Sequence, residues 1–212
     1  MGWRTLFLDL DDTLYPGSSG VWQAIGVRIH EYMVHRVGIA PEDADRLRGS
    51  YLEAYGTTLN GLVANFHIDP LDYLDFVHDI PVEQMLEPDP SLRQMLASLP
   101  QRKVVFTNAN RRHADRVLAR LGIADVIDAV ADLFALEMTN KPKEAAYRRA
   151  MALAGEPDPT ACVIVDDMLR NLIPAGRLGM TTVLISSNDV HAPVDRRIAN
   201  IHELTAALPE LQ

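Results

Sequence analysis

The chain has 212 residues, enough for one large domain or for a core domain carrying an insertion. At 48% apolar and 23% charged it has the composition of a soluble globular protein, and its net charge of −9 argues against a nucleic-acid backbone or an anionic membrane as the main partner. One cysteine, Cys162, precludes an internal disulfide, and its place in the run Ala161-Cys162-Val163-Ile164-Val165 makes it core. No stretch approaches the ~20 apolar residues of a membrane span. A strand is expected almost at once, so no signal peptide is expected, and Leu6 stands where a myristoylated Met1-Gly2 start needs Ser or Thr. Cytoplasm is the expected compartment.

The first element is a short buried strand, Thr5–Leu8, and it runs straight into Asp9-Leu10-Asp11-Asp12-Thr13. Burying three carboxylates within four residues is costly unless a cation neutralises them. The same arrangement makes one carboxylate a nucleophile beside a bound metal, which points to phosphoryl chemistry. About 85 residues then separate this strand from the next, against the ~12 a plain crossover requires. The gap reads as helical. Val21–Val37 carries Trp22, Ile25, Ile29, Tyr32 and Val37 at helical spacing. Pro41-Glu42-Asp43 opens a second helix, with Leu47, Tyr51 and Tyr55 on its apolar side, and shorter helices are expected around Leu59–Phe66 and Leu71–Val77.

After the gap, strands and helices alternate. Strands are expected at Lys103–Phe106, Val126–Ala131, Ala161–Val165 and Thr182–Ile185, all rich in Val, Ile, Leu and Phe without clean alternation. Helices are expected at Arg111–Leu121, closed by Gly122, and at Lys143–Leu153, after Pro142 and before Gly155. The pattern specifies an α/β fold, a Rossmann-like doubly wound parallel sheet with a helical cap inserted after the first strand. Residues 1–15 and 89–212 form the α/β core domain and 16–88 the inserted cap.

In open α/β sheets, ligands collect at the carboxyl ends of the strands. There the chain places Asp9, Asp11, Asp12 and Thr13 after the first strand, Thr107 and Asn108 after the second, and Asp166 and Asp167 after Val165. Asn171 follows one helical turn later, and Lys141 precedes Pro142 at a helix start. These residues resemble the four motifs of the haloacid dehalogenase superfamily, in order across about 160 residues. Asp9-Leu10-Asp11-Asp12-Thr13 matches Asp-x-Asp-x-Thr, Val104–Thr107 the strand ending in Thr or Ser, Lys141 the lysine before a helix, and Asp166-Asp167 the acidic pair. Other patches are similar to its pyrimidine 5'-nucleotidase branch: Asp11-Asp12-Thr13-Leu14-Tyr15-Pro16, Tyr55-Gly56-Thr57-Thr58-Leu59-Asn60-Gly61-Leu62, Leu86-Glu87-Pro88-Asp89, Phe106-Thr107-Asn108-Ala109, His113–Leu118 and Leu121-Gly122-Ile123.

The resemblance implies a phosphatase in which Asp9 is the nucleophile and Asp11 the general acid and base, with Thr107 and Lys141 holding phosphoryl oxygens. Dehalogenation has no leaving oxygen to protonate, so Asp11 favours phosphate esters. The resemblance further implies Mg²⁺ on the Asp9 carboxylate, the Asp11 carbonyl and Asp167, with Asp166 close by. The phosphate cradle would be completed by backbone N–H groups after Asp9, those of Leu10 and Asp11, and by that of Asn108. Tyr15, Tyr55, Asn60 and Asn108 are expected near the leaving group. The expected partner is a small phosphate ester, a pyrimidine nucleoside 5'-monophosphate first. A sugar phosphate, phosphoglycolate or nicotinamide mononucleotide, phosphotransfer, and a non-catalytic phospholigand-binding module are the alternatives. Either a monomer or a homodimer is compatible with the chain.

Blander readings hold for some residues. Asp12 reads as structural, Thr13 as a tie within the loop, His113 as a helix-surface residue, and Trp22, Tyr32, Tyr51 and Tyr55 mostly as packing groups. Two departures from the family pattern stand beside the acidic pair. Met168 replaces a common Ser, and Pro174 is expected to delay the following helix until near Ile173.

Overall fold

Six parallel strands form one sheet in the computed structural model, which describes residues 2–188 and 192–212. Met1, the first residue of the dipeptide considered above, lies outside them. The strands are β1 (Thr5–Leu8), β2 (Arg102–Phe106), β3 (Ala129–Ala131), β4 (Cys162–Asp166), β5 (Thr181–Ile185) and β6 (Arg196–Ile198), in the order β3-β2-β1-β4-β5-β6. The order reverses between β1 and β4, which is the crevice where α/β sheets take ligands. β1 is central, with Leu8 in register with Val105 of β2 and with Val165 of β4. All four of its residues are buried, so its continuous apolar run is that of a strand covered on both faces.

The chain divides into two compact units. One comprises Met1–Ser19 with Leu86–Gln212 and holds the sheet; the other is Gly20–Met85. The second unit is all helical: α1 (Val21–His35), α2 (Pro41–Tyr55), α3 (Thr58–Phe66), α4 (Pro70–Val77) and the single turn α5 (Val82–Met85). Its termini carry the expected signals. Pro41 and Pro70 stand in first turns, Thr57 and Asp69 cap α3 and α4, and Gly56 takes a left-handed conformation after α2. Its core includes Ile25, Ile29, Tyr32, Met33, Tyr51, Leu62 and Tyr73. Trp22 departs from the expected packing role: it is 44% exposed, because the buried stripe of α1 runs through Val21, Ile25 and Ile29 and leaves its neighbour outside.

In the first unit α6 (Pro90–Ser98), α7 (Arg111–Leu121), α8 (Glu144–Ala154), α9 (Leu169–Leu178) and the short α10 (Leu204–Ala207) accompany the sheet. One core is built from Phe7, Val104, Phe106 and Ile164 of the strands with Tyr147 and Ala150 of α8 and Leu172 and Ala175 of α9. Phe106 meets Phe7 and Tyr147 edge to face, at 6.1 and 5.3 Å between ring centres.

Three sequence expectations are corrected. The helix after the acidic pair begins at Leu169, not near Ile173, and continues through Pro174. The proline removes only the N–H that would reach the Arg170 carbonyl, while Leu172 and Ala175 gain burial against the sheet. β3 is shorter than Val126–Ala131, because residues 124–126 form a 3₁₀ turn and pairing starts at Asp128, whose N–H donates to the Lys103 carbonyl. Lys141 does not abut a helix start at Pro142. The Lys141–Pro142 peptide is cis and α8 starts at Glu144. Among the described residues no helix is long and apolar enough to cross a membrane.

Candidate active site

Asp9 extends β1 by one residue: its N–H still donates to the Val165 carbonyl, at 2.9 Å. This ladder bond drives a carboxylate into the interior, where it is buried. Lys141 meets it there. The ammonium Nζ donates to Asp9 Oδ1 and to Asp166 Oδ2, both at 2.7 Å, and lies 5.1 Å from the centre of the Phe106 ring. Lys141 is 1% exposed, so one buried cation bridges the ends of β1 and β4. Burial alone would lower its pKa; the charges of Asp166 and Asp9 outweigh that and hold it above the ordinary lysine value. Thr13 Oγ1 donates to Asp9 Oδ2 at 3.4 Å and so ties the loop.

Asp166 is saturated by protein donors. The Met168 N–H reaches Oδ1 at 2.8 Å, and the Asn171 amide reaches Oδ1 and Oδ2 at 3.0 and 3.1 Å. The Asn171 carbonyl in turn accepts the Tyr147 hydroxyl at 2.5 Å. Asn171 is thus a residue of the site through its hold on Asp166, a role its place one turn beyond the acidic pair made discoverable. Met168 contributes its backbone, and its side chain is exposed.

One carboxylate oxygen from each of Asp9, Asp166 and Asp167 lies within 4.8 Å of the others. Lys141 offsets this gathered negative charge in part. Burial first, then Asp166, pushes Asp167 up to about 7; burial raises Asp9 well above the usual carboxylate range, against the pull of Lys141. Nearby Asp12 goes up to about 6, from burial and then Asp11, and its buried Oδ1 has no hydrogen-bond partner among the described residues. A site of hard oxygen donors with surplus negative charge fits a hard divalent cation such as Mg²⁺.

At the end of β2 the Thr107 hydroxyl accepts the Ala109 N–H at 3.0 Å, and Asn110 caps α7 by accepting the His113 N–H. The Asn108 side chain is committed to the Lys141 main chain, giving its amide to the carbonyl at 3.1 Å and taking the N–H at 2.9 Å. It therefore clamps Lys141 in place and does not hold its amide out toward a leaving group. Leu10 is buried, and its carbonyl accepts the Leu14 N–H at 3.0 Å. In the helical unit Tyr55 and Asn60 share one turn: the Asn60 amide donates to the Tyr55 carbonyl at 3.5 Å, and the Tyr55 hydroxyl accepts from Asn65 at 3.3 Å.

Asp11 has company that sequence reasoning did not assign. Asp12 adopts a left-handed conformation (φ 56°), and the reversed chain brings Tyr15 back onto Asp11, its hydroxyl donating to Oδ1 at 2.5 Å. Burial and the neighbouring charges of Asp11 and Asp12 hold the Tyr15 phenol un-ionised. His113 is not a surface residue: it is fully buried and its Nε2 lies 2.8 Å from the same Oδ1. Its spacing was legible, since Val117 of the buried face lies four residues on.

The family model of the haloacid dehalogenase-like hydrolases matches residues 3–179. Phosphate metabolism protein 8 of Saccharomyces cerevisiae is 28% identical over 214 residues, spanning 94% of this chain and 67% of that protein. A HAD phosphatase from Thermococcus onnurineus superposes with a TM-score of 0.64 over 96% of both chains at 18% identity. The L-2-haloacid dehalogenase of Xanthobacter autotrophicus does so with 0.62 at 17%, over 97% of this chain and 98% of its own. Both likenesses concern the fold.

Proposed function

Since this chain belongs to the haloacid dehalogenase-like hydrolase family, we propose that it is a Mg²⁺-dependent phosphatase that cleaves small phosphate monoesters through a phosphorylated Asp9. The observation that carries this reading is the pairing of a buried, lysine-held carboxylate, Asp9, with a second carboxylate two residues on that is itself fixed by protein donors. A dehalogenase has no leaving oxygen that would need the second group.

In the first half-reaction an Asp9 oxygen attacks phosphorus in line while Asp11 gives its proton to the ester oxygen, and the alcohol departs. In the second, Asp11 takes a proton from water as the water oxygen attacks phosphorus, releasing inorganic phosphate and restoring the Asp9 carboxylate and the Asp11 carboxylic acid. Lys141 anchors Asp9 and neutralises phosphoryl oxygens, Thr107 donates its hydroxyl to one of them, and the N–H groups of Leu10, Asp11 and Asn108 complete the cradle. Mg²⁺, held by Asp9, Asp167 and the Asp11 carbonyl with Asp166 behind them, would supply positive charge to the transferring group. Asp166, filled by Lys141, Asn171 and Met168, serves mainly to orient Lys141.

The helical unit leaves the chain shortly after the Asp9 loop, and we assign it the part of a cap that selects the leaving group, with Tyr55 and Asn60 at the turn between α2 and α3 as candidate contacts. Pyrimidine nucleoside 5'-monophosphates are the proposed substrates, supported by the branch-like patches on both units. A relative named for phosphate metabolism is consistent with phosphate release. The test is phosphate release with Mg²⁺ from UMP, CMP, dTMP, AMP, GMP, nicotinamide mononucleotide, phosphoglycolate and glucose phosphates, with Asp9→Asn as control. Preference for UMP and CMP, lost in the variant by at least ~10³-fold, is expected. A flat or sugar-phosphate profile removes the substrate assignment; release that persists in Asp9→Asn removes the mechanism.

A further inference from the structure

Two donors from distant parts of the chain converge on a single oxygen of Asp11. Tyr15 OH arrives from four residues along the same loop, at 2.5 Å, and His113 Nε2 from the first turn of α7, at 2.8 Å. Neither donor is free to wander. Tyr15 is 4% exposed and sits beyond the Leu10–Leu14 turn, while the His113 backbone is pinned by the Asn110 cap, at 3.0 Å. The Asp11 side chain is itself only 14% exposed. Burying a histidine beside a carboxylate uses a site that an apolar residue of α7 would otherwise fill, since Ala114, Val117 and Leu118 around it are buried. A purely structural histidine would be satisfied by any acceptor; this one reaches the carboxylate two residues from Asp9.

We propose that His113 and Tyr15 are positioning residues for general acid–base catalysis, holding Asp11 so that its Oδ2 carries the proton exchanged with the ester oxygen and with water. The chemistry follows from the donors. A carboxyl oxygen that accepts from both a phenol and an imidazole N–H is held as an acceptor and has no room for a proton of its own. The acid proton therefore resides on Oδ2, and the two bonds to Oδ1 fix the rotation of the carboxyl group that aims it. Both bonds are compatible with the protonated and the ionised carboxyl, so the hold persists through both half-reactions. Proton transfer over a misaligned path is slow, which is why fixing a carboxyl rotamer matters to rate. The inference rests on the phosphatase reading above.

The experiment compares an alkyl ester, UMP or β-glycerophosphate, with p-nitrophenyl phosphate, whose leaving group departs without acid help. Because kcat/KM reports events up to leaving-group departure, it isolates the acid step. In Tyr15→Phe and His113→Leu, the ratio of kcat/KM for the alkyl ester to that for the aryl ester should fall by ~10- to 100-fold, mirroring Asp11→Asn. His113→Gln, which keeps an N–H donor, should recover part of the loss. In the Asp11→Asn background, Tyr15→Phe should add nothing further, the non-additivity expected of residues acting through one group. Parallel losses on both esters, or full additivity with Asp11→Asn, would overturn the proposal. If His113→Leu fails to fold, Tyr15→Phe, which removes one oxygen, decides alone. No phosphate release from any ester would overturn the phosphatase reading, and release that survives Asp9→Asn would overturn its Asp9 mechanism; either takes this inference with it and is distinct from the outcomes above.

Discussion

Lys141 shows how much one side chain is asked to do. It pairs with Asp9, links β1 to β4, and does so almost wholly buried. Removing one partner of a buried ion pair leaves an uncompensated charge, so Lys141→Met should lower unfolding free energy by about 3–5 kcal/mol in denaturant titration, besides abolishing turnover. An unchanged midpoint would show that the two carboxylates relieve each other by taking up a proton. The raised Lys141 pKa has a definite sign: its stabilisation is complete below the unfolded lysine value and goes only as pH climbs through the higher folded value, so it is constant across neutral pH. The acids of the site were legible because strand ends mark them in the sequence, and Lys141 because it matches the lysine of the family's third motif, although the helix start expected beside it lies further on, at Glu144. The sharing out of their hydrogen bonds was not. That Asn108 clamps the Lys141 backbone and that His113 reaches Asp11 depends on side-chain directions that spacing does not carry.

At the scale of elements, the packing of α2 on α3 depends on Gly61. A Cβ there would stand 2.2 Å from Tyr51 Cγ, and Tyr51 is buried, with little room to retreat. Gly61→Ala should cost about 1–3 kcal/mol of stability, read by thermal or urea unfolding, despite alanine's better helix propensity. Stabilisation would mean that Tyr51 swings out freely. Elements with long periodic patterns, such as α1, α2 and α7, announced themselves. Those that did not are short or set by neighbours: β6 is three residues with two exposed arginines, α6 buries only Leu92 and Leu96, and α9 passes a proline because the sheet beneath rewards it.

For the molecule as a whole, Asp9, Asp166 and Asp167 gather at one place, so the protein without a bound cation should be sensitive to pH. Asp167, at about 7, and Asp12, at about 6, have folded pKa values above the 3.8 of the free side chain. The folded state therefore keeps protons that the unfolded state has released, and stability falls as pH rises from about 4 through about 7. In chelator, the melting temperature should drop across that interval, Asp167→Asn should flatten the slope, and Mg²⁺ should raise the midpoint most at the upper end. Parallel curves for wild type and Asp167→Asn would refute this. The sheet order carries a last consequence, for synthesis. β1 sits at the centre, yet its ladder partners Arg102 and Cys162 lie about 100 and 160 residues along the chain. At ~5–20 residues per second, Leu6, Phe7 and Leu8 leave the ribosome seconds before any strand exists to cover them. The segment that ends in Asp9 is thus the one most in need of shelter while the chain is still being made.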